Sequence, residues 1–210
     1  MEYLHWKEET IIDSSTETIS KMYENGFVFT RIGKGVMHQT RSVRIDLNKF
    51  ELSSENRRIL RKGENISVEH CEIPYSKYSW EIGKIAKDFY DKKAGGAFSV
   101  NKIKELITTP HNFNTLLTFS DIGFTICYKN NQMMHYCYPF YDLEKAQKDM
   151  GLIMMTKTIA EAKIQGLKYV YLGSLQRPSD VYKLQFSGIE WFDGKEWKSD
   201  VEEVKKVLGV

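Results

Sequence analysis

The sequence has few cysteines, no long apolar run and almost no net charge. Cys71, Cys127 and Cys137 are an odd number without a Cys-x-x-Cys pair. That argues against a disulfide scaffold and against a tetrahedral zinc site built mainly from thiolates. No apolar run approaches the roughly 18 residues of a membrane span, so a membrane is not an expected partner. The start, MEYLHWKEET, carries acids where a signal peptide needs a basic flank and an apolar core, and a cytoplasmic location is expected. There are no internal repeats and no low-complexity segments. Thirty Lys+Arg against 28 Asp+Glu leave +2 over 210 residues, which taken whole points to no polyanionic partner.

What is present is the composition of a folded chain. With 41% hydrophobic, 13% aromatic and 28% charged residues, the protein has material for one large domain or two small ones and is too apolar for disorder. The charge is uneven. From Arg31 to Lys62 nine basic residues stand against three acids, a local +6, so the other 178 residues carry −4. Such clustering is the footprint of a phosphate site, or else a solvated face whose charges meet acids from elsewhere in the fold.

Periodicity sets the elements. GFVFT and the turn glycines Gly33 and Gly35 open a β unit over 26–47. Its last strand alternates, with Val43, Ile45 and Leu47 on one face and Ser42, Arg44 and Asp46 on the other. SSENRRILRKG reads as a short helix in which Arg57/Arg61 and Arg58/Lys62 are like-charged i,i+4 pairs. Each pair costs a few tenths of a kcal/mol unless an anion offsets it. A strand follows at 66–73, then helices over 80–92 and 99–107, the second ended by Pro110. Residues 115–141 read as one hairpin turning at Asn130-Asn131. A helix over about 150–165 has Asp149 as its expected N-cap, and LIMMT within it reads as helix core. A short buried strand at 168–173, a hairpin about Asp193-Gly194 and a helix at 200–208 complete the chain. The order strand, hairpin, helix, strand over 115–173 predicts a mixed α+β fold, with a smaller N-terminal α+β part at 1–110 and a core at 111–210 that matches acetyl-CoA-dependent (GNAT-like) acyltransferases.

Several blocks, in order, resemble the aminoacyl-tRNA–protein transferases of the N-degron pathway, arginyl and leucyl types. Arg44, Phe50, Ser53 or Ser54, Arg57, Arg58, Leu60 and Arg61 match one family segment. Tyr141-Asp142 with Gly151, Tyr171-Leu172-Gly173, Tyr182-Lys183 and Phe186 match others. The family's cysteine cluster is absent: its places fall near Met37 and Thr40, with His38 between. Leu143 replaces a proline, Asp149 a serine and Met150 a leucine, and the stretch from Tyr171 to Tyr182 is short. No metal or iron–sulfur site is therefore carried over.

The resemblance implies transfer of arginine or leucine from an aminoacyl-tRNA, as co-substrate and without other cofactor, to the N-terminal amine of a protein or peptide with an acidic first residue. DNA is not an expected partner. Aminolysis of an activated ester needs a neutral amine, positioning and oxyanion donors rather than a nucleophilic side chain, and the sequence has no Gly-x-Ser-x-Gly. By the same resemblance Tyr171, Tyr182 and Asp142 are the catalytic candidates, the tyrosines as donors near the ester and Asp142 orienting the amine. Tyr141, Gly151, Gly173, Lys183 and Phe186 would bind substrate, with Lys183 meeting a phosphate or an acceptor carboxylate. Arg44, Arg57, Arg58, Arg61 and Lys62 would hold tRNA phosphates, where the planar fork of arginine suits the ligand. Plainer readings stand beside these: core packing for Tyr171, loop capping for Asp142, an amphipathic strand for Tyr182-Lys183, and core packing for His135-x-Cys137. Two rival functions remain, an acyl-CoA-dependent acyltransferase and a non-catalytic tRNA- or peptide-binding module. Against the first, AQKDMGL has one glycine and places a carboxylate where a pyrophosphate would need free amides.

Overall fold

The computed structural model describes residues 3–96 and 98–210, and the fold is mixed α+β. Two compact units are present, each built from interleaved segments rather than from consecutive halves of the chain. The first comprises the N-terminal part to Ser54, Asn130–His135 and Glu161–Val210; the second comprises Glu55–Lys129 and Tyr136–Ala160. Among the described residues no helix is long and apolar enough to cross a membrane.

In the first unit, α1 (Thr16–Glu24) starts where Ser15 accepts from the Thr18 amide. A small antiparallel sheet has the order β1 (Lys7–Thr10), β3 (Val36–Gln39), β2 (Phe27–Phe29). Its other strands run in the order β11 (Trp197–Lys198), β10 (Ile189–Phe192), β4 (Ser42–Asp46), β9 (Tyr169–Ser174) and the first residues of β8 (Met133–Tyr141). Strand β9 is antiparallel to β4 and parallel to β8, with His135 opposite Tyr171. The alternation predicted for β4 is real, yet all five of its residues are buried, because strands flank both its edges and side chains cover both its faces. Asp193 accepts from the amides of Lys195 and Glu196 and so closes the expected hairpin. Asp200 caps α6 (Val201–Leu208). Tyr182-Lys183, read above as strand, lies in a 3₁₀ helix, Pro178–Gln185, whose first proline has its φ preset for a helical start.

The second unit holds α2 (Ser54–Lys62, from Glu55 onward), α3 (Trp80–Ala94), α4 (Val100–Thr108) and most of α5 (Met150–Ile164), with strands in the order β8, β7 (Gly123–Lys129), β6 (Thr115–Phe119), β5 (Val68–Glu72). The expected single hairpin over 115–141 contains a second turn. Ser120 and Asp121 adopt φ of 48° and 55°, a left-handed pair that splits the first arm into β6 and β7; short polar side chains tolerate that region. The Asn130 turn forms as expected, its side chain accepting from the amides of Gln132 and Met133. Ile153, Met154 and Met155 are buried as helix core. Asp149 does not cap α5. Its backbone is left-handed, at φ 69°, rather than extended as an N-cap requires, and its carboxylate instead takes the Lys62 ammonium at 2.6 Å.

Candidate functional site

Arg44, Tyr171, Gly173, Tyr182, Lys183 and Phe186, up to 142 positions apart in the chain, all belong to the first unit. Pairing of β4 with β9 sets Arg44 beside Tyr171. The Arg44 guanidinium donates to the Tyr171 hydroxyl at 3.3 Å and grips Glu190 through Nε at 2.9 Å and Nη2 at 2.8 Å. It lies 4.0 Å from the centroids of both the Tyr169 and Trp197 rings. Lys49 adds a second cation to Glu190 at 2.8 Å. Burial alone pulls the Arg44 pKa down, but Tyr171, Tyr169 and Glu190 leave it raised. An arginine so enclosed organises the interior. Its role is internal, and the tRNA contact expected of it has no open face to act through.

Tyr171 is 1% exposed. Burial pushes its phenol up to about 12, so it keeps its proton at neutral pH. With its hydroxyl on Arg44 and its ring 4.8 Å from that of Tyr23, it acts on any substrate only through its neighbours. Tyr23 accepts from the Phe29 amide at 3.3 Å and lies 2.8 Å from His135 Nδ1. Which of the two donates depends on the His135 tautomer, since the Tyr23 hydroxyl can give its proton or accept a second one. Burial, with the charge of Lys183, pushes His135 down to about 3, so the imidazole is neutral at neutral pH. Its Nε2 lies on the side of Gly173, 3.9 Å from where a Cβ there would stand. Gly173 has φ +78°, a conformation that only glycine adopts without strain.

Beyond Gly173 the strand end opens. Lys183 donates to the Ser174 carbonyl at 2.7 Å, and burial lowers its pKa although Asp180 pulls it back up. Tyr182 is 48% exposed, yet its phenol is pushed up to about 12 by the protein around it and so stays a proton donor. Phe186 is buried within 6.4 Å of the Phe50 ring and packs the core.

The other candidates belong to the second unit. Asp142 accepts from the amides of Glu144 at 2.9 Å and Lys145 at 3.2 Å. Partial burial would raise its pKa, but these bonds and the Lys145 charge leave it lowered; this is a capping carboxylate. Tyr141 packs against Phe89 at 4.7 Å and over Gly151. On α2 only Asn56 and Ile59 are buried. Arg58 pairs with Glu55 and Lys62 with Asp149, while Arg57, Leu60 and Arg61 line an open depression of about 360 Å³. Among the described residues no group of three His, Cys, Asp or Glu could hold a metal. His38, where the family's cysteines would fall, stacks on His5 and meets Glu8 at 2.7 Å.

Tyr23, Glu190, Trp197 and the hydrogen-bonding role of His135 escaped the sequence reading. The partners that place them in the site, Arg44 for Glu190 and Trp197, and His135 for Tyr23, lie more than a hundred positions away, and no local pattern announces them.

No protein-family model matches the chain. It is 25% identical to the aspartate/glutamate leucyltransferase of Ruegeria pomeroyi over 167 residues, 75% of this chain and 61% of that protein. Against the Granulibacter bethesdensis protein of the same name it is 24% identical, covering 77% of this chain and 65% of that one. Its curated homologues are aspartate/glutamate leucyltransferases. A third, from Alkalilimnicola ehrlichii, is 25% identical over 82% of this chain and 76% of its own length. The chain spans 61% and 65% of the first two leucyltransferases. These names agree with the aminoacyl-tRNA–protein transferase resemblance. In fold, the chain is similar to the structure of L-PGS from Bacillus licheniformis, with a TM-score of 0.50 and 14% identity over 93% of this chain and 71% of that one.

Proposed function

We propose that this protein transfers an amino acid, arginine or leucine, from an aminoacyl-tRNA in the cytoplasm to the N-terminal amine of a protein or peptide whose first residue is acidic. The observation that carries the reading is the convergence of Tyr171, Gly173, Tyr182 and Lys183 at one strand end, beside Arg44, in a chain whose curated homologues are leucyltransferases.

The neutral α-amine attacks the ester carbonyl, the oxyanion collapses with cleavage of the acyl–oxygen bond, and the proton that the amine gives up leaves on the ribose oxygen as its hydroxyl. The ester is already activated, so positioning and oxyanion donors supply most of what the reaction needs. Tyr182 keeps its proton and is the exposed donor for the ester. Tyr171 holds Arg44, and through it the β4–β9 pair on which the site is built. Asp142 orders the segment after Tyr141. On α2, Arg57 and Arg61, with Arg58 and Lys62 released from Glu55 and Asp149, would meet tRNA phosphates in a sequence-independent way.

Incubation with a mixture of radiolabelled aminoacyl-tRNAs and peptides of varied first residue tests this. Label is expected on peptides beginning with Asp or Glu. No transfer from any tRNA, together with turnover of acetyl-CoA, would replace this reading with an acyl-CoA-dependent one. Binding of tRNA with no transfer would replace it with a binding module.

A further inference from the structure

The segment before β1 is held by hydrogen bonds to its backbone, while its rings are left in water. The side-chain amide of Gln176 spans Leu4, accepting from its N–H at 2.8 Å and donating to its carbonyl at 3.1 Å. The Thr40 hydroxyl donates to the same carbonyl at 2.6 Å and accepts from Gln176 Nε2 at 2.9 Å. Two residues on, the Trp6 amide donates to the Gln39 carbonyl at 2.8 Å, and the Trp6 ring meets that of Phe192 edge-on. Residues 3–6 are thus a strap, tied across 172 positions of sequence to a residue just past the end of β9. The strap reaches the candidate site. Ser174 Oγ lies 3.4 Å from the Tyr3 hydroxyl, and the Ser174 carbonyl is the group that Lys183 holds.

Burial of its rings would hold such a strap equally well, yet Tyr3 is 43% exposed and His5 is exposed too. The two rings make one surface, stacked at 29° with centroids 6.3 Å apart. His5 is stacked in turn on the buried His38 ring, at 4.5 Å and 17°, and Tyr3 lies 5.8 Å from that ring. A buried ring beneath and a clamped backbone behind fix the surface in position. Flat π surfaces of this kind, left in water, take flat π ligands, and each nucleobase stacked on an aromatic side chain adds roughly a factor of ten in affinity whatever its sequence context. The position also fits. An aminoacyl ester is carried on the ribose of a tRNA's last nucleoside, an adenosine, so its base stands one sugar away from the reacting carbonyl.

We propose that Tyr3 and His5 form a stacking platform for the adenine of the terminal nucleoside of the aminoacyl-tRNA, with Gln176 as the positioning residue that fixes the strap. This rests on the transfer reading above and adds a base-binding subsite to it. A base stacked there brings its ribose, and with it the ester, to the end of β9 where Tyr182 and Lys183 stand. Placement of this kind assists the reaction by holding the ester in reach of the attacking amine. Because every tRNA ends in adenosine, the platform gives affinity and register without choosing the amino acid. Tyr3, His5 and Gln176 match none of the family blocks, so the subsite belongs to this chain's own strap.

The test is filter binding of the full chain, at one salt concentration, to uncharged leucine and arginine tRNAs, intact or with the terminal adenosine removed. The wild type should bind the shortened tRNAs roughly tenfold more weakly, the size of one base–aromatic stack. In Tyr3→Ala the intact tRNAs should weaken by that factor and the shortened ones stay within about twofold, so that the difference closes. Tyr3→Phe keeps the ring and should keep the difference. Gln176→Leu should close most of it and speed hydrogen exchange at the Leu4 amide, which reads the strap itself; if that variant does not fold, the two Tyr3 variants carry the comparison. A wild type indifferent to the adenosine overturns the platform, as does a Tyr3→Ala variant that keeps the full difference. So does a raised KM for the acceptor peptide with tRNA binding unchanged, which gives the rings to the acceptor. Transfer of label with no adenosine dependence at Tyr3 sinks the platform and leaves the transfer reading intact. Adenosine-dependent binding through Tyr3 with no transfer from any tRNA removes the transfer reading and keeps the platform.

Discussion

Two clusters in the first unit use the same kinds of residue to opposite ends. Around Arg44 every charge is answered: Glu190 grips it, Lys49 balances Glu190, Tyr171 accepts, and Tyr169 and Trp197 cover its faces. Around Arg41 and Lys183 each cation has one carbonyl. The first cluster is closed, and a closed network fixes structure. In the second the cations are held by carbonyls rather than carboxylates and are half-buried, with no ion pair among the described residues. Both arginines sit in the same basic run of the sequence, so charge count does not separate them; what separates them is whether an acid from a distant strand arrives to meet them.

The largest expected effect probes the closed side. His135 has a folded pKa of about 3 against an ordinary 6.5. Being lower when folded, it lets the unfolded chain bind the proton more tightly below pH 6.5, so stability is lost as pH falls from about 6.5 towards 3. The loss is at most about 5 kcal/mol at roughly 1.4 kcal/mol per unit. Urea unfolding at stepped pH should show this slope flattened in His135→Phe, and an unchanged slope would remove His135 from the network. Next, Glu190→Gln leaves the enclosed Arg44 without its carboxylate and should cost about 3–5 kcal/mol in the same measurement. A cost below about 1 kcal/mol would erase the distinction between the clusters.

The open side should respond in the reverse sense. Lys183→Met should leave stability within about 1 kcal/mol of wild type or raise it, since a half-buried charge without an ion pair is lost, while transfer activity falls. Because the folded pKa of Lys183 is depressed, wild-type stability should rise with pH as the solution passes its folded value towards the ordinary lysine pKa of about 10.4, and the variant should lack that rise. The smallest stability effect is expected on α2. Alanine at Arg57, Arg58, Arg61 and Lys62 removes the solvent-screened pairs Arg58–Glu55 and Lys62–Asp149, yet should weaken tRNA binding and flatten its salt dependence in filter-binding assays.

Most elements of the fold were legible in the sequence because they rest on local signals: the apolar run of α5, the Asn130 and Asp193-Gly194 turns, the alternation of β4. Some features were not. The Ser120-Asp121 turn lacks glycine, so a continuous apolar arm was the natural reading. Asp149 has the chemistry of a cap but not the backbone for one. Of the site, Lys183 and Gly173 were readable through family motifs. Glu190 was not, because an ion pair across 146 positions leaves no trace in spacing.

The central place of β4 has a consequence for synthesis. Both of its pairing partners, β9 and β10, emerge from the ribosome more than a hundred residues after it. Until then Val43 and Ile45 belong to an unpaired apolar strand with two open edges, the kind of segment that associates with other chains. Contacts of such long sequence separation also slow folding. Yield of active protein should therefore depend on chaperone supply and on the rate of translation between β4 and β10, more than on the stability of the finished fold.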